Sequence, residues 1–298
     1  MTVNTGSACY YCGAVGGSRQ ICTEKYAWGG IPFSCARCGG AIFRRTISSA
    51  TSDEYWEGDA VNEKVYTIPE VRRAFAQKYE RYLTLFNNGN GAGSRLLEIG
   101  CGSGIFLEAA LRHGWVVHGL DVSAQAVELT RRNCPGATVV CAPLEKAGFD
   151  PSTFDLIALW DVIEHVEDPE ELLGQARLFL RTGGTLVMET PDEGCLARML
   201  VRFAHRVTGG RVSLLRSLYY PAHRWYFSRR AVATVLRRVG FDGIRFYREQ
   251  TVREFGSRKH AAYGSRNAWP QRVSNLIAGS IGMVPWLRNK MVVMAVKS

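Results

Sequence analysis

Three groups of residues in this 298-residue chain have side chains and spacings that could do chemistry. The first lies at residues 96–107, LLEIGCGSGIFL. There an apolar run (Leu96, Leu97, Ile99) breaks into Gly100, Gly102 and Gly104, and the helix-like residues 105–113 follow. That order reads as strand, turn, helix. Alternate glycines let the backbone turn and approach a ligand where a Cβ would clash, and the helix behind them offers free N–H groups. Glu98 sets a carboxylate at the edge of the turn. Seventeen residues past Gly104, after a second apolar run (Trp115, Val116, Val117, Gly119, Leu120), comes Asp121. An acidic residue ending the second strand of a βαβ unit accepts hydrogen bonds from both hydroxyls of a ribose. The spacing is GxGxG, with Ile105 where a dinucleotide fingerprint has its third glycine. The expectation is an α/β fold that binds a nucleoside, with no pyrophosphate on the helix end.

The second group is two pairs of thiols. Cys9-x-x-Cys12 and Cys35-x-x-Cys38 are separated by 22 residues, and each is followed directly by glycine. Thiolates at i and i+3 of a turn can face one ion. Four of them make a closed tetrahedral Zn²⁺ site, structural because no position stays open. The spacer is slightly longer than in the usual ribbon. Between the pairs, Ile21, Tyr26, Trp28, Ile31 and Phe33 suggest short β-strands. Cys22 lies outside both pairs and reads either as a replacement ligand or as a buried thiol. Cys101, Cys134, Cys141 and Cys195 read as packing residues. The first seven residues are mostly polar and do not read as a secretory leader. Nine cysteines in that context point to a reducing, cytoplasmic setting, where thiols bind metal or stay free.

The third group is Asp161, Glu164 and His165, a D-x-x-E-H cluster at the end of the apolar run FDLIALW. A neutral imidazole with a pKa near 6.5 is the natural proton acceptor. His165 is the first candidate base because of its place after that strand; its alternative is to cap a turn or bond the sheet. His223, in the loop Tyr219-Tyr220-Pro221-Ala222-His223, is the second. His113, His118, His205 and His260 read as surface or packing residues.

The elements that must hold these groups are legible in outline. Residues 71–86 keep Val71, Phe75, Tyr79, Tyr82 and Phe86 at helical spacing, with Pro69 before them and residues 87–93 as a stop. That helix either caps the ligand pocket or simply packs. Residues 123–132 read as a helix with Ser123 as N-cap, 137–141 as a strand, and Ala142 to Glu145 as a loop against a base. Residues 154–160 read as a buried strand, 169–180 as a helix, 181–184 as a turn and 185–189 as a further strand. Strands separated by helices imply a parallel sheet with its site at the carboxyl ends. The hydrophobic fraction of 46% suits a globular core. No apolar run reaches the ~18 residues of a membrane span.

Taken in order, LLEIGCGSGIFLEAA, GLDVS, FDLIALWDVIEHVEDP, LRTGGTLVMETPD, HRWYFSRRAVATVLRRVGF and MVVMAVK resemble the class I S-adenosylmethionine (SAM)-dependent methyltransferases, and within them the ubiquinone-type branch. Motif E-x-G-x-G-x-G is matched at Glu98, Gly100, Gly102 and Gly104. The Cys-x-x-Cys-Gly ribbon and the Tyr55-Trp56 loop look like a subgroup whose members often modify sugars, glycan precursors or secondary metabolites. The resemblance implies a Rossmann-like, mostly parallel seven-stranded sheet with helices on both faces, plus a small N-terminal zinc-ribbon module. The expected division is a ribbon over 1–45, a linker and capping helix over 46–93, and a methyltransferase domain over 94–298. SAM is the implied donor, held by Glu98, Gly100, Cys101, Gly102, Gly104, Asp121, Val122, Leu144, Trp160 and Asp161. Zn²⁺ is implied on Cys9, Cys12, Cys35 and Cys38. The acceptor is expected to be a small molecule methylated at oxygen. Some ubiquinone-type O-methyltransferases hold a divalent cation in an E-x-x-E-H cluster, which would make Asp161, Glu164 and His165 a Mg²⁺ site here. Cys141-Ala142-Pro143 departs from the loop that many relatives carry.

Charge is unevenly placed. The chain is +10, yet residues 195–272 hold 17 Arg and Lys against three Asp and Glu. Within them, residues 196–218 interleave arginines with Met199, Leu200, Phe203, Val207, Leu214 and Leu215, which reads as a basic lid insertion over about 195–225. It could fork an anionic acceptor, dock on an anionic membrane surface or bind nucleic acid. Residues 277–287 add an apolar segment. Two further function classes stay open: an RNA methyltransferase using ribbon and basic face, and a non-catalytic SAM-binding protein. Against the first, residues 9–38 hold only Arg19, Lys25 and Arg37 as basic residues.

Overall fold

The structure, a computed structural model, describes residues 8–15, 18–20, 31–44, 66–86, 93–208, 223–252 and 288–298. Cys22, the Tyr55-Trp56 loop, His260, residues 209–222 of the expected lid and the apolar segment 277–287 lie outside the described residues.

Three short strands open the chain, β1 (Ser18–Gln20), β2 (Ile31–Cys35) and β3 (Ala41–Arg44), followed by α1 (Pro69–Phe86). The main body then alternates: β4 (Arg95–Ile99), α2 (Ile105–Arg112), β5 (Val116–Asp121), α3 (Ala124–Asn133), β6 (Thr138–Cys141), a 3-10 turn at Leu144–Lys146, β7 (Phe154–Trp160), α4 (Pro169–Phe179) and β8 (Leu180–Pro191). It closes with α5 (Leu196–Val207), β9 (Trp225–Tyr226), α6 (Arg229–Arg238), β10 (Phe241–Glu249) and β11 (Lys290–Lys297).

The seven-stranded sheet has the order β10-β11-β8-β7-β4-β5-β6. Strands β8, β7, β4, β5 and β6 run parallel, and β11 enters antiparallel between β8 and β10. This is the expected Rossmann-like sheet. A second sheet, β1-β2-β3-β9, holds the ribbon strands together with a strand of the main body.

Local chemistry explains the boundaries. Ser123 caps α3, its Oγ accepting from Ala126 N at 3.2 Å. Asp168 caps α4 by accepting from Glu170 N and Glu171 N at 2.9 and 3.2 Å, with Pro169 in the first turn. The FDLIALW run is β7, and it is buried as a strand covered on both faces must be. One boundary differs from expectation. Residues 181–184 do not separate α4 from a strand; they form an irregularity inside β8, where pairing with β7 jumps from Phe154↔Leu180 to Leu156↔Thr185. Gly183 takes a left-handed φ of 74° there, which lets the extra residues bulge without leaving the sheet.

Helix α1 buries Val71, Phe75, Tyr79, Tyr82 and Phe86, the residues its periodicity selects. Tyr79 meets Phe106 of α2 at 5.3 Å and Trp160 at the end of β7 at 4.9 Å between ring centroids. The helix is therefore core, and it reaches the carboxyl end of the sheet.

Candidate active site and thiolate centre

Strands β4 and β7 are parallel neighbours with Ile99 opposite Leu159. The glycine turn and the D-x-x-E-H turn consequently leave the sheet side by side. Gly100 needs both its freedoms: φ is 73°, and a Cβ there would sit 2.5 Å from Val162 Cγ2. Its N–H and that of Cys101 donate to Leu120 O at 2.7 and 3.0 Å, tying the turn to β5. Thr130 Oγ1 donates to Gly102 O at 2.8 Å, and Asn133 Nδ2 to Ser103 O at 2.9 Å. Helix α3 thus holds the loop from behind.

Asp121 sits at the end of β5, buried, where Oδ2 accepts from Gly102 N and Oδ1 from Ser123 N, both at 3.0 Å. Burial raises its pKa against these amides. Glu98 is also buried, and its Oε2 has no hydrogen-bond partner. Burial pushes its pKa well up, and the charge of Asp121 adds to this. Among the described residues neither carboxyl pairs with a lysine or arginine. Two buried acids without a basic partner are costly alone and fit a ligand that is itself cationic. SAM, with its sulfonium, ammonium and ribose, has that chemistry.

The other expected donor contacts fall as follows. Cys101 is buried, with Thr130 Oγ1 at 3.6 Å from its sulfur. Val122 is exposed between Asp121 and Ser123, and Leu144 is buried in the 3-10 turn. Trp160 packs among Tyr79, Tyr82 and Phe106. Of the cysteines read as packing residues, Cys101, Cys134 and Cys195 are buried, but Cys141 is exposed, because it ends the edge strand β6.

Asp161 has a partner that the sequence did not show. Its backbone is left-handed (φ 56°), and its Oδ2 accepts a short hydrogen bond from Lys290 Nζ. Lys290 also donates to Glu189 Oε1 at 2.9 Å, and Glu189 Oε2 pairs with Lys78 of α1. Lys78 lies about 5.5 Å from the ring centroids of Phe75, Tyr79 and Trp160. This chain of alternating charges, Lys78–Glu189–Lys290–Asp161, buried at Lys78 and Glu189 and half-buried at Lys290 and Asp161, was not foreseen from the sequence. It joins α1, β8, β11 and the turn after β7.

The Mg²⁺ expectation at Asp161, Glu164 and His165 gains no support from this arrangement. Lys290 already supplies the cation at Asp161, and the donors that converge are Glu164, His165 and His223, whose ligand-type atoms lie within 4.8 Å of one another. One carboxylate and two imidazoles do not fit Mg²⁺, which prefers oxygen. Glu164 is fully buried; its Oε2 accepts from Thr190 Oγ1 at 3.0 Å and its Oε1 faces His223 Nε2 at 4.0 Å. Burial lifts the Glu164 carboxyl well above the ordinary range, and the Asp161 charge adds to this. The rings of His165 and His223 meet edge to face at 4.7 Å. The two histidines singled out in sequence are thus neighbours, 58 positions apart in the chain.

The four thiols of the paired motifs converge as expected. Cys9 Sγ lies 3.8 Å from Cys38 Sγ, and Cys12 Sγ 3.8 Å from Cys35 Sγ. A tetrahedron of ~2.3 Å Zn–S bonds has edges of about 3.8 Å, so the donor set fits Zn²⁺ in type and size.

Helix α5 covers the described part of the expected lid. Leu196, Met199, Leu200, Phe203 and Val207 lie exposed along one face, Phe203 at 66% and Val207 at 68%. Two of its arginines are already committed: Arg198 and Arg202 bind the buried Glu193 at 3.3 and 2.6 Å.

Curated relatives match about half of the chain in sequence. The ubiquinone biosynthesis O-methyltransferase of Schizosaccharomyces pombe, mitochondrial, is 29% identical over 152 residues, 49% of this chain and 54% of that protein. A protein of the same name from Coxiella burnetii is 25% identical over 146 residues, 48% and 58% of the two chains. The chain spans a little over half the length of these curated relatives. Among solved structures, phosphoethanolamine N-methyltransferase 2 of Haemonchus contortus, in complex with phosphomonomethylethanolamine and S-adenosylhomocysteine, superposes with a TM-score of 0.58 at 18% identity, covering 86% of this chain and 62% of that one. A SAM-dependent methyltransferase from Archaeoglobus fulgidus gives 0.52 at 19% identity, covering 82% and 100%. These likenesses are of fold. The sequence itself matches the family described as a methyltransferase domain over residues 69–245, and the chain belongs to that family.

Proposed function

We propose that the protein transfers the methyl group of SAM to a hydroxyl oxygen of a small molecule. The observation that carries this reading is the juxtaposition of a cation-seeking acidic loop (Glu98, Asp121) with an imidazole-carboxyl group (His223, Glu164, His165) on adjacent turns. SAM, when bound, supplies a methyl already activated on sulfur. The chain's own work is then alignment, exclusion of water and removal of one proton. Alignment of nucleophile, carbon and leaving sulfur contributes on the order of 7–11 kcal/mol. Asp121 holds the ribose end, and Val162 against Gly100 fixes the gap between donor loop and acceptor turn. His223 takes the hydroxyl proton, and the neutral Glu164 carboxyl, 4.0 Å from its Nε2, lines the base without adding charge. His165 orients the His223 ring edge-on. The thiolate centre holds structural Zn²⁺, in a reducing, cytoplasmic setting consistent with the free cysteines.

The expected acceptors named from the sequence were a sugar, a glycan precursor or a secondary metabolite. The relatives' names, which speak of ubiquinone biosynthesis, support a ring hydroxyl of a quinone precursor in preference to a sugar. Incubating the metal-analysed chain with methyl-tritiated SAM and, separately, a simple catechol, a nucleotide sugar and bulk RNA tests this. Label in the catechol is expected. Label in the sugar or RNA alone would overturn the acceptor class, and RNA labelling would establish the alternative of an RNA methyltransferase.

The apolar face of α5 supports contact with an anionic membrane surface more than recognition of an anionic acceptor, because Glu193 already occupies Arg198 and Arg202. No helix among the described residues is long and apolar enough to cross a membrane. Interfacial helices of this kind insert apolar side chains beneath basic ones. Vesicles containing phosphatidylglycerol should sediment the protein in low salt, and Phe203→Ser should release most of it. Equal sedimentation of both proteins would exclude α5 as the contact.

A further inference from the structure

The two thiolate knuckles do more than close on each other: each grips one of the two segments that carry the imidazole-carboxyl group. Strand β3 pairs with β9, Ala41 opposite Tyr226 and Ile42 opposite Trp225, so the ribbon sheet is completed by the residues directly after His223. Ser228 Oγ donates a short hydrogen bond to Cys38 O and accepts from Ala231 N at 3.1 Å, which fixes the far end of that segment at the cap of α6. Tyr11, wholly buried, donates to Ala41 O at 2.7 Å.

From the first knuckle, Tyr10 donates to Asp168 Oδ1 at 2.5 Å and accepts from Glu170 N at 2.9 Å. Its ring lies 4.4 Å from that of Trp225. Trp225 is the joint. Its Nε1 donates to Val166 O at 2.8 Å, while the N–H groups of Arg224 and Trp225 donate to Glu164 O at 2.8 and 3.2 Å. Arg238 closes the clamp, donating to Tyr11 O and, at 2.8 Å, to Glu170 Oε2. Among the described residues the hydrogen bonds of the glycine loop and Asp121, by contrast, run to α3, β5 and Ala142 and not to the ribbon.

We infer that the ribbon is a positioning device for the acceptor half of the site: with its four thiolates drawn together by metal, it sets the distance between His223 and the Glu164–His165 turn, and Trp225 is the positioning residue through which it acts. This rests on the reading of His223 as base given above. The donor half is independent of it. Loss of the metal, or of the Trp225 joint, therefore costs turnover and leaves SAM binding intact.

The test uses the full chain and two perturbations. Trp225→Phe keeps an aromatic ring against Tyr10 but removes the bond to Val166. Zinc removal from the wild type by a chelator perturbs the other end. Four quantities are read: zinc content, SAM dissociation constant by calorimetry, kcat with the acceptor that accepts label, and the imidazole resonances of His223, assigned with His223→Gln. Trp225→Phe is expected to retain one zinc and SAM affinity within about twofold, to lower kcat about tenfold with a displaced pH profile, and to shift the His223 resonances. Chelation is expected to move the same resonances and lower kcat without weakening SAM. Re-adding Zn²⁺ should restore both. Unmoved His223 resonances with unchanged kcat in both experiments would overturn the inference. So would parallel loss of SAM affinity, which would make the ribbon a general stabiliser. If the resonances shift but no acceptor is methylated in any sample, the coupling stands and the functional reading fails.

Discussion

His223→Gln is expected to lower kcat by about 10²–10⁴-fold, the usual worth of a positioned proton acceptor, with the SAM dissociation constant unchanged within about twofold. Glutamine keeps hydrogen-bonding capacity and approximate size, so the loss reports the proton and not the packing. The pH profile sharpens the prediction. A base must be neutral to act, so kcat of the wild type should fall as pH drops through the imidazole range. In His223→Gln that acid limb should disappear. Glu164→Gln should behave differently. Burial and the Asp161 charge hold the Glu164 carboxyl well above its ordinary range, so 4.0 Å from His223 it stays protonated, and glutamine keeps that neutral form. The variant should leave the acid limb in place and reduce kcat by less than the histidine change. Full activity of His223→Gln would shift the base to His165, whose ring lies 4.7 Å away.

Asp121→Ala is expected to weaken SAM binding by about 10- to 100-fold, corresponding to ~1.5–3 kcal/mol for hydrogen bonds to a charged group. Two losses combine. The carboxylate would no longer receive the ribose hydroxyls, and the amides of Gly102 and Ser123, each 3.0 Å from it, would lose their shared acceptor. Asp121→Asn separates them. An asparagine oxygen still accepts from one amide while the negative charge is gone, so its affinity should fall between wild type and alanine. The measurement is a calorimetric titration of the three proteins. Equal affinities across the series would remove Asp121 from the donor site.

Elements governed by local chemistry were legible in the sequence. Ser123 announced a cap and is one; the FDLIALW run is a doubly covered strand; the glycines stand at the positions where Cβ atoms would collide or φ must be positive. Both thiol pairs converge as their spacing requires. The histidines were individually visible but not their meeting, since the 58 positions between them carry no periodicity that links one to the other. The same holds for the chain Lys78–Glu189–Lys290–Asp161, whose bonds span 129 and 101 positions where they involve Lys290. One signal was present: Lys78 falls three places after Phe75, on the apolar face of α1, where a lysine needs a buried acid. Read that way, Glu189 at the end of an apolar strand is its natural partner. Asp161, placed in sequence as a cofactor or cation ligand, also carries an ion pair that the sequence did not show, because nothing local reveals that β11 delivers Lys290 to it. Strand β9 has only two residues, too few for any pattern, and its place in the ribbon sheet could come only from the fold.

The most direct test of the central claim is a calorimetric titration of the full, metal-analysed chain with SAM and, in a separate cell, with NAD. The account predicts saturable one-to-one binding of SAM and no heat with NAD, because Glu98 and Asp121 await a cation with a ribose and Ile105 stands where a dinucleotide fingerprint has its third glycine. Binding of NAD in preference to SAM, or of neither, would contradict it.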